Sequence, residues 1–245
     1  MIRYRFFVLF IAIFCISCWG SKTFAFAFQA DGIYYNVLSS SEKTVEVIYN
    51  PLADVGEPYY SGNIIIPTTV SCQGVNYSVV AIGAFAFGFC TELESVTIPN
   101  SVTTIVKNSF INCFKLERIK IPSSVKTIET GAFSGCINMS SMVVEAGNTI
   151  YDSRNNCNAI INTSSNTLIA GCKNTTIPNT VEEIGDYSFD GCVNLQNVDI
   201  PKSVKVLGES CFESCISLLS ISIPNNVSTI KKMLLKVVML FHLLM

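Results

Sequence analysis

Phe-x-x-Cys recurs at Phe87/Cys90, Phe110/Cys113, Phe133/Cys136, Phe189/Cys192 and Phe212/Cys215, with steps of 23, 23, 56 and 23 residues. A fixed period of this length is the signature of a coil built from stacked repeats, because each repeat is one supersecondary unit that buries its apolar side only against its neighbours. Other marks keep the same phase. Ile-Pro stands at Ile98-Pro99, Ile121-Pro122, Ile177-Pro178, Ile200-Pro201 and Ile223-Pro224, with Val144-Glu145 in the corresponding place of the third turn. The interval of 56 is 23 plus 33, so one repeat carries ten extra residues.

Between these marks lie Leu93-x-x-Val96-x-Ile98, Leu116-x-x-Ile119-x-Ile121, Met139-x-x-Met142-x-Val144, Leu195-x-x-Val198-x-Ile200 and Leu218-x-x-Ile221-x-Ile223, the core pattern of a leucine-rich repeat. A second apolar pair follows each time: Val102/Ile105, Val125/Ile128, Val181/Ile184, Val204/Leu207 and Val227/Ile230. The expected fold is a leucine-rich-repeat solenoid, mainly β with short helical or 3-10 turns and a parallel concave sheet. Ends of such a coil need caps. Residues 28–80 are expected to supply an N-terminal cap, a small antiparallel β unit with strands at Ile33 to Val37, Thr44 to Ile48 and Gly62 to Ile66. The solenoid is expected over 81–230, with a longer, hairpin-bearing repeat at about 145–177.

Much of the 49% hydrophobic content sits outside that coil. Residues 1–27 combine Arg3 and Arg5, the apolar run Phe6 to Ile16 and a small-x-small site at Ala25-Phe26-Ala27, which reads as a secretory signal peptide cleaved before Phe28. Lipoprotein processing at Cys18 is the alternative, although Cys15-Ile16-Ser17 lacks the usual aliphatic residue at the third position back. The final stretch, 231–245, departs from the repeat: the period would put phenylalanine at position 235 and cysteine at 238, where the chain has Leu235 and Val238. One base earlier, codons chosen for this stretch spell Asn-Ala-Phe-Lys-Gly-Cys-Asn-Ala, with both expected residues in place, so the tail is expected to follow a frameshift. An amphipathic or anchoring segment is the alternative. No integral membrane span is expected in the mature domain.

Function classes can be narrowed from the same positions. Sixteen Lys+Arg face 18 Asp+Glu, and removal of residues 1–27 takes three bases and no acid, so nucleic acid is not an expected partner. His242, the single histidine, lies in the aberrant tail, leaving no histidine to build a catalytic triad or a His-ligated metal site in the repeats. Five of the 11 cysteines share one ladder position and are expected to be packed thiols, since ladder side chains ~4.8 Å apart run parallel and do not converge as a disulfide requires. Cys157 and Cys172 differ. They flank a hairpin turning through Thr163-Ser164-Ser165-Asn166, in which Ile161 would face Leu168, Ile160 would face Ile169 and Cys157 would face Cys172, a disulfide pairing open in an oxidising compartment. No cofactor, metal or catalytic residue is expected. Asp152-Ser153-Arg154-Asn155-Asn156 fails as a calcium loop because Arg154 replaces an oxygen ligand and no glutamate closes it.

Ile-Pro-x-x-Val-x-x-Ile followed by Phe-x-x-Cys at this period resembles the BspA-type leucine-rich-repeat proteins, as do Asp31-Gly32-Ile33-Tyr34-Tyr35-Asn36-Val37 and the long repeat. The resemblance covers about Asp31 to Ile230 and implies a secreted or cell-surface protein of the kind common in Bacteroides-like bacteria. It also implies adhesion or protein recognition, with a host or microbial protein or glycoprotein as ligand, and no shared catalytic residue. Outward residues of the concave strands form the candidate partner-binding face: Ser95, Thr97, Arg118, Lys120, Asn197 and Asp199, with Ser141, Val143, Ser220 and Ser222. A structural spacer, or a truncated, non-functional fragment of a longer repeat protein, is the competing expectation.

Overall fold

The computed structural model describes residues 27–53 and 59–232; the expected signal segment up to residue 26 and the tail from residue 233 lie outside the described residues. The chain opens with an antiparallel meander of β1 (Ala27–Ala30), β2 (Ile33–Ser39) and β3 (Thr44–Ile48). Asp31 and Gly32 turn the first hairpin with φ of 49° and 79°, the double left-handed geometry that suits the strand twist. Next come β4 (Gly62–Ile65), β5 (Thr69–Cys72) and β6 (Val75–Ile82). β6 pairs antiparallel with β5 and parallel with β3, so the meander passes directly into the first rung of a parallel ladder.

Five strands then alternate along the coil: β7 (Leu93–Thr97), β8 (Thr104–Ile105), β9 (Arg118–Ile121), β10 (Thr127–Ile128) and β11 (Ser141–Val144). Odd members carry the Leu-x-x-Leu-x-Leu motif and even members the Val-x-x-Ile motif, so each turn of chain crosses two faces. β9 and β11 pair parallel with Arg118 opposite Ser141 and Lys120 opposite Val143, the 23-residue register read from the sequence. β6, β8 and β10 pair parallel in the same way.

Phe87, Phe110 and Phe133 form a continuous stack, with ring centroids 5.2 and 5.4 Å apart and planes within 9°. Tyr60 closes its N-terminal end at 5.2 Å from Phe87, while its hydroxyl donates to Ile48 O and accepts from Tyr34 N–H. Three turns also donate from the phenylalanine N–H to a carbonyl 22 residues on: Phe87 to Ser109, Phe110 to Ala132 and Phe189 to Cys211. Ser210 N–H likewise reaches Lys232 O, so the coil keeps its path to the end of the described residues.

The long repeat contributes β12 (Tyr151–Asp152), a 3-10 turn at Arg154–Asn156, β13 (Ile160–Asn162) and β14 (Thr167–Ala170). Parallel pairing then resumes through β15 (Glu183–Ile184), β16 (Val206–Leu207) and β17 (Thr229–Ile230). The added residues lengthen one edge alone. On the Phe-x-x-Cys edge Gly135 N–H donates to Asp190 O and Asn194 Nδ2 to Ile137 O, joining the third and fourth turns directly. Opposite, β14 stands as an additional rung before β15, and it is not paired with β10. Gly171 explains the break in the aromatic stack, since a Cβ there would fall 2.2 Å from the Phe189 ring.

The hairpin register corrects two expectations. Ile161 faces Leu168 as expected, but a bulge between Ile160 and Ile161 puts Ile160 opposite Ala170 instead of Ile169. A one-residue slip turns the flanking side chains to opposite faces. Cys157 therefore packs with Ala159, Ile161 and Leu168 in the C-terminal core, whereas Cys172 packs with Ile160 and Ala170 in the N-terminal one. Both are free thiols in this structure, and the expected facing of Cys157 and Cys172 is not observed.

Candidate functional site

The concave face is built by strand alternation. In β9, Ile119 and Ile121 are buried while Arg118 and Lys120 are exposed; in β7, Val96 is buried, Thr97 is exposed and Ser95 is half-buried. Asn197 and Asp199 are exposed in the fourth turn, where Asp199 bridges in parallel to Ser222. The structure thus places all six candidate residues along one set of stacked turns, and two of them, Ser95 and Lys120, already have side-chain partners. Lys120 Nζ lies 2.6 Å from Glu145 Oε1, and this hydrogen bond holds the Glu145 carboxyl below its ordinary value, against a smaller opposing effect of burial. Ser95 Oγ donates to Asn63 Oδ1. Arg118 makes no ion pair among the described residues, which leaves its guanidinium available to a partner.

The sequence reading missed the first row of this face. β4 pairs parallel with β7, placing Asn63 opposite Ser95 and Ile65 opposite Thr97. Ile65 is 73% exposed and adds to Val143, the one apolar residue of the candidate set. The signal was present in Ile66-Pro67, an unrecognised copy of the Ile-Pro mark, and in Val79 and Ile82, which stand 23 residues before Val102 and Ile105.

The cysteine column has a role beyond filling space. Cys113 Sγ donates to Phe87 O at 3.0 Å, Cys136 Sγ to Phe110 O at 3.1 Å and Cys215 Sγ to Phe189 O at 3.1 Å, so each thiol ties its turn to the one before. Cys192 makes the equivalent bond to Gly171 O, because the long repeat supplies Gly171 where a phenylalanine would stand. Burial pushes the Cys90 and Cys215 thiols up to about 12 and Cys192 well above its usual value; contact with Cys136, followed by burial, raises Cys113. Protonated thiols of this kind are poor nucleophiles and poor metal ligands. Among the described residues no three His, Cys, Asp or Glu side chains gather as a metal site, and no helix is long and apolar enough to cross a membrane.

In the long repeat, Arg154 Nε lies 2.9 Å from Asp152 Oδ1, and its Nη1 donates to Asn166 Oδ1 and Thr180 Oγ1. The arginine that excludes a calcium loop therefore fastens the insertion to the next turn. Glu182 pairs with Lys205 at 2.6 Å, and Glu183 with Lys231 at 3.3 Å, so this adjacent acid pair belongs to turn-to-turn ion pairs.

Stacked parallel turns, a phenylalanine column and an exposed strand face define a leucine-rich-repeat protein. The model of the BspA type leucine rich repeat region matches residues 68–169 and 160–240 with six copies, and the chain belongs to that family. Among solved structures, the pneumococcal vaccine antigen PcpA is 16% identical, over 82% of this chain and 71% of that one, with a TM-score of 0.47. A leucine-rich-repeat protein from Eubacterium ventriosum is 20% identical over 82% and 66%, with a TM-score of 0.43. A leucine rich cell surface protein from Faecalibacterium prausnitzii is 20% identical over 86% and 85%, with a TM-score of 0.34. No curated protein matches the chain.

Proposed function

We propose that the chain is exported and acts as a surface-adhesion or protein-recognition module, holding a protein or glycoprotein ligand on its concave face without catalysis. The observation that carries this reading is the set of outward residues on paired turns, Asn63 with Ser95, Arg118 with Ser141 and Asp199 with Ser222, with the unpaired guanidinium of Arg118 among them. Extended solenoid faces are built for such contacts. An acidic ligand surface would be drawn to Arg118, and Ile65 would add apolar area at one end. Immobilised host matrix proteins and mucins provide the assay. Saturable binding that Arg118→Glu with Lys120→Glu weakens by tenfold or more supports the module; a folded sample that binds none of them supports a spacer. The spacer reading has its own observation, since Ser95 and Lys120 already spend their polar groups on Asn63 and Glu145.

A further inference from the structure

A second concave feature lies away from the strand face, on the Phe-x-x-Cys edge where the third and fourth turns meet. It is a groove of about 460 Å³. It lies where two glycines let the turns stack closely, for a Cβ on Gly135 would fall 2.0 Å from Asn112 Oδ1. One column of the coil holds Phe89, Asn112, Gly135, Gly191 and Ser214, all with left-handed φ between 59° and 72°. Glycine fills the column at the two turns that stack directly, so the groove floor is bare backbone, and Asn112 and Ser214 close its ends. A Cβ on Gly191 would lie 2.5 Å from Gly135 Cα, which shows how closely the two turns approach.

The walls are of two kinds. Ile111, Ile137 and Val193 line it with half-buried apolar side chains. Asp190 and Glu213, in successive turns, line it with carboxyl groups, and no lysine or arginine is among the lining residues. Ser134, only 5% exposed, also borders the groove; its hydroxyl lies beside the Asp190 carboxyl and favours its charged form, although it makes no hydrogen bond of ordinary geometry. An acidic seat flanked by aliphatic walls and floored by backbone fits one long cationic side chain, whose methylenes pack on the walls while its charged head meets the carboxylate. We infer that this groove receives a lysine or arginine side chain presented by an extended segment of a partner protein, with Asp190 as its counter-ion.

Burial, followed by the charge of Glu213, pushes the Asp190 carboxyl up to about 6, while Ser134 and the Gly191 N–H act in the opposite sense. The other titratable groups around it are Tyr187, which lines the same groove, and the protonated thiols of Cys192 and Cys215. Binding should therefore weaken as the solution is acidified through pH 6.

The probe is acetyl-Val-Arg-Val-amide, set against the same peptide with neutral citrulline in place of arginine, and read by amide NMR shifts of the full exported chain. The arginine peptide is expected to move the Gly135 and Gly191 amides saturably, and the citrulline peptide to leave them in place. Asp190→Asn should abolish the response, and lowering the pH from 7.5 to 5 should weaken binding by up to about tenfold, the loss of ionised carboxyl for a group titrating near 6. Equal responses to both peptides, no response to the arginine peptide, or a response unchanged in Asp190→Asn would overturn the assignment. If Asp190→Asn does not fold, Glu213→Gln and the acid titration of the unmodified chain decide it. Arg118→Glu with Lys120→Glu should leave these shifts intact, which separates this groove from the strand face.

Discussion

Removing one ring from the phenylalanine column should cost stability in proportion to the number of rings that touched it. Phe110 is fully buried and stacks on Phe87 and Phe133, whereas Phe189 is equally buried but stacks on Phe212 alone, with Gly171 against its other side. Leucine keeps most of the apolar volume and deletes the ring. At about 0.5–1.5 kcal/mol for each aromatic pair, Phe110→Leu should lose ~1–3 kcal/mol of stacking and Phe189→Leu about half as much. Urea unfolding followed by far-ultraviolet circular dichroism gives the two values. A double-mutant cycle sharpens the test: Phe87→Leu and Phe110→Leu should couple by about 0.5–1.5 kcal/mol, whereas Phe110→Leu and Phe189→Leu should add to within about 0.5 kcal/mol. Equal costs at 110 and 189, or coupling as large in the separated pair as in the stacked one, would show that the column acts as undifferentiated apolar bulk.

Other consequences are more local. Gly171→Ala should destabilise the chain severely, because the new methyl must displace the Phe189 ring from 2.2 Å; thermal melting would register a loss well beyond that of an ordinary surface substitution. Ser214→Gly should stabilise by up to about 1 kcal/mol, since position 214 holds φ of 59° without benefit from its side chain, and an unchanged melting temperature would count against that strain. Peptide mapping without reductant should find Cys157 and Cys172 free, and dithiothreitol should leave the melting curve in place. For Asp190, a carboxyl whose folded value lies near 6 against an ordinary 3.8 is protonated more readily in the folded chain, so its contribution to stability falls as pH rises from about 4 to 6; Asp190→Asn should remove that slope.

The coil was legible because its marks repeat in phase: Leu116, Ile119 and Ile121 announce the same strand that Leu93, Val96 and Ile98 do, and a register of 23 follows from the spacing alone. What escaped the sequence lies where no residue type is repeated. The left-handed column through Phe85, Asn108, Gly131, Tyr187 and Ser210 has five different occupants, since stacking fixes the backbone there and each side chain merely tolerates it. The groove at Gly135 and Gly191 was invisible for another reason, because two glycines 56 residues apart become neighbours only when the insertion leaves their edge of the coil unlengthened. A bulge decided the fate of Cys157 and Cys172, and bulges carry no mark in a hairpin of ordinary apolar residues.

Cysteine is an odd choice for a repeated core position in a chain that reads as exported, where an exposed thiol would be oxidised. Geometry resolves the conflict. Alanine would leave the Phe87, Phe110 and Phe189 carbonyls with only the backbone donors of Cys90, Cys113 and Cys192, while serine would bury a hydroxyl, which costs more to desolvate than a thiol. The thiol is apolar enough to pack, yet still gives a weak donor at the distance between turns. Burial then keeps it protonated, and the thiolate needed for disulfide exchange is withheld by the same packing that the thiol completes.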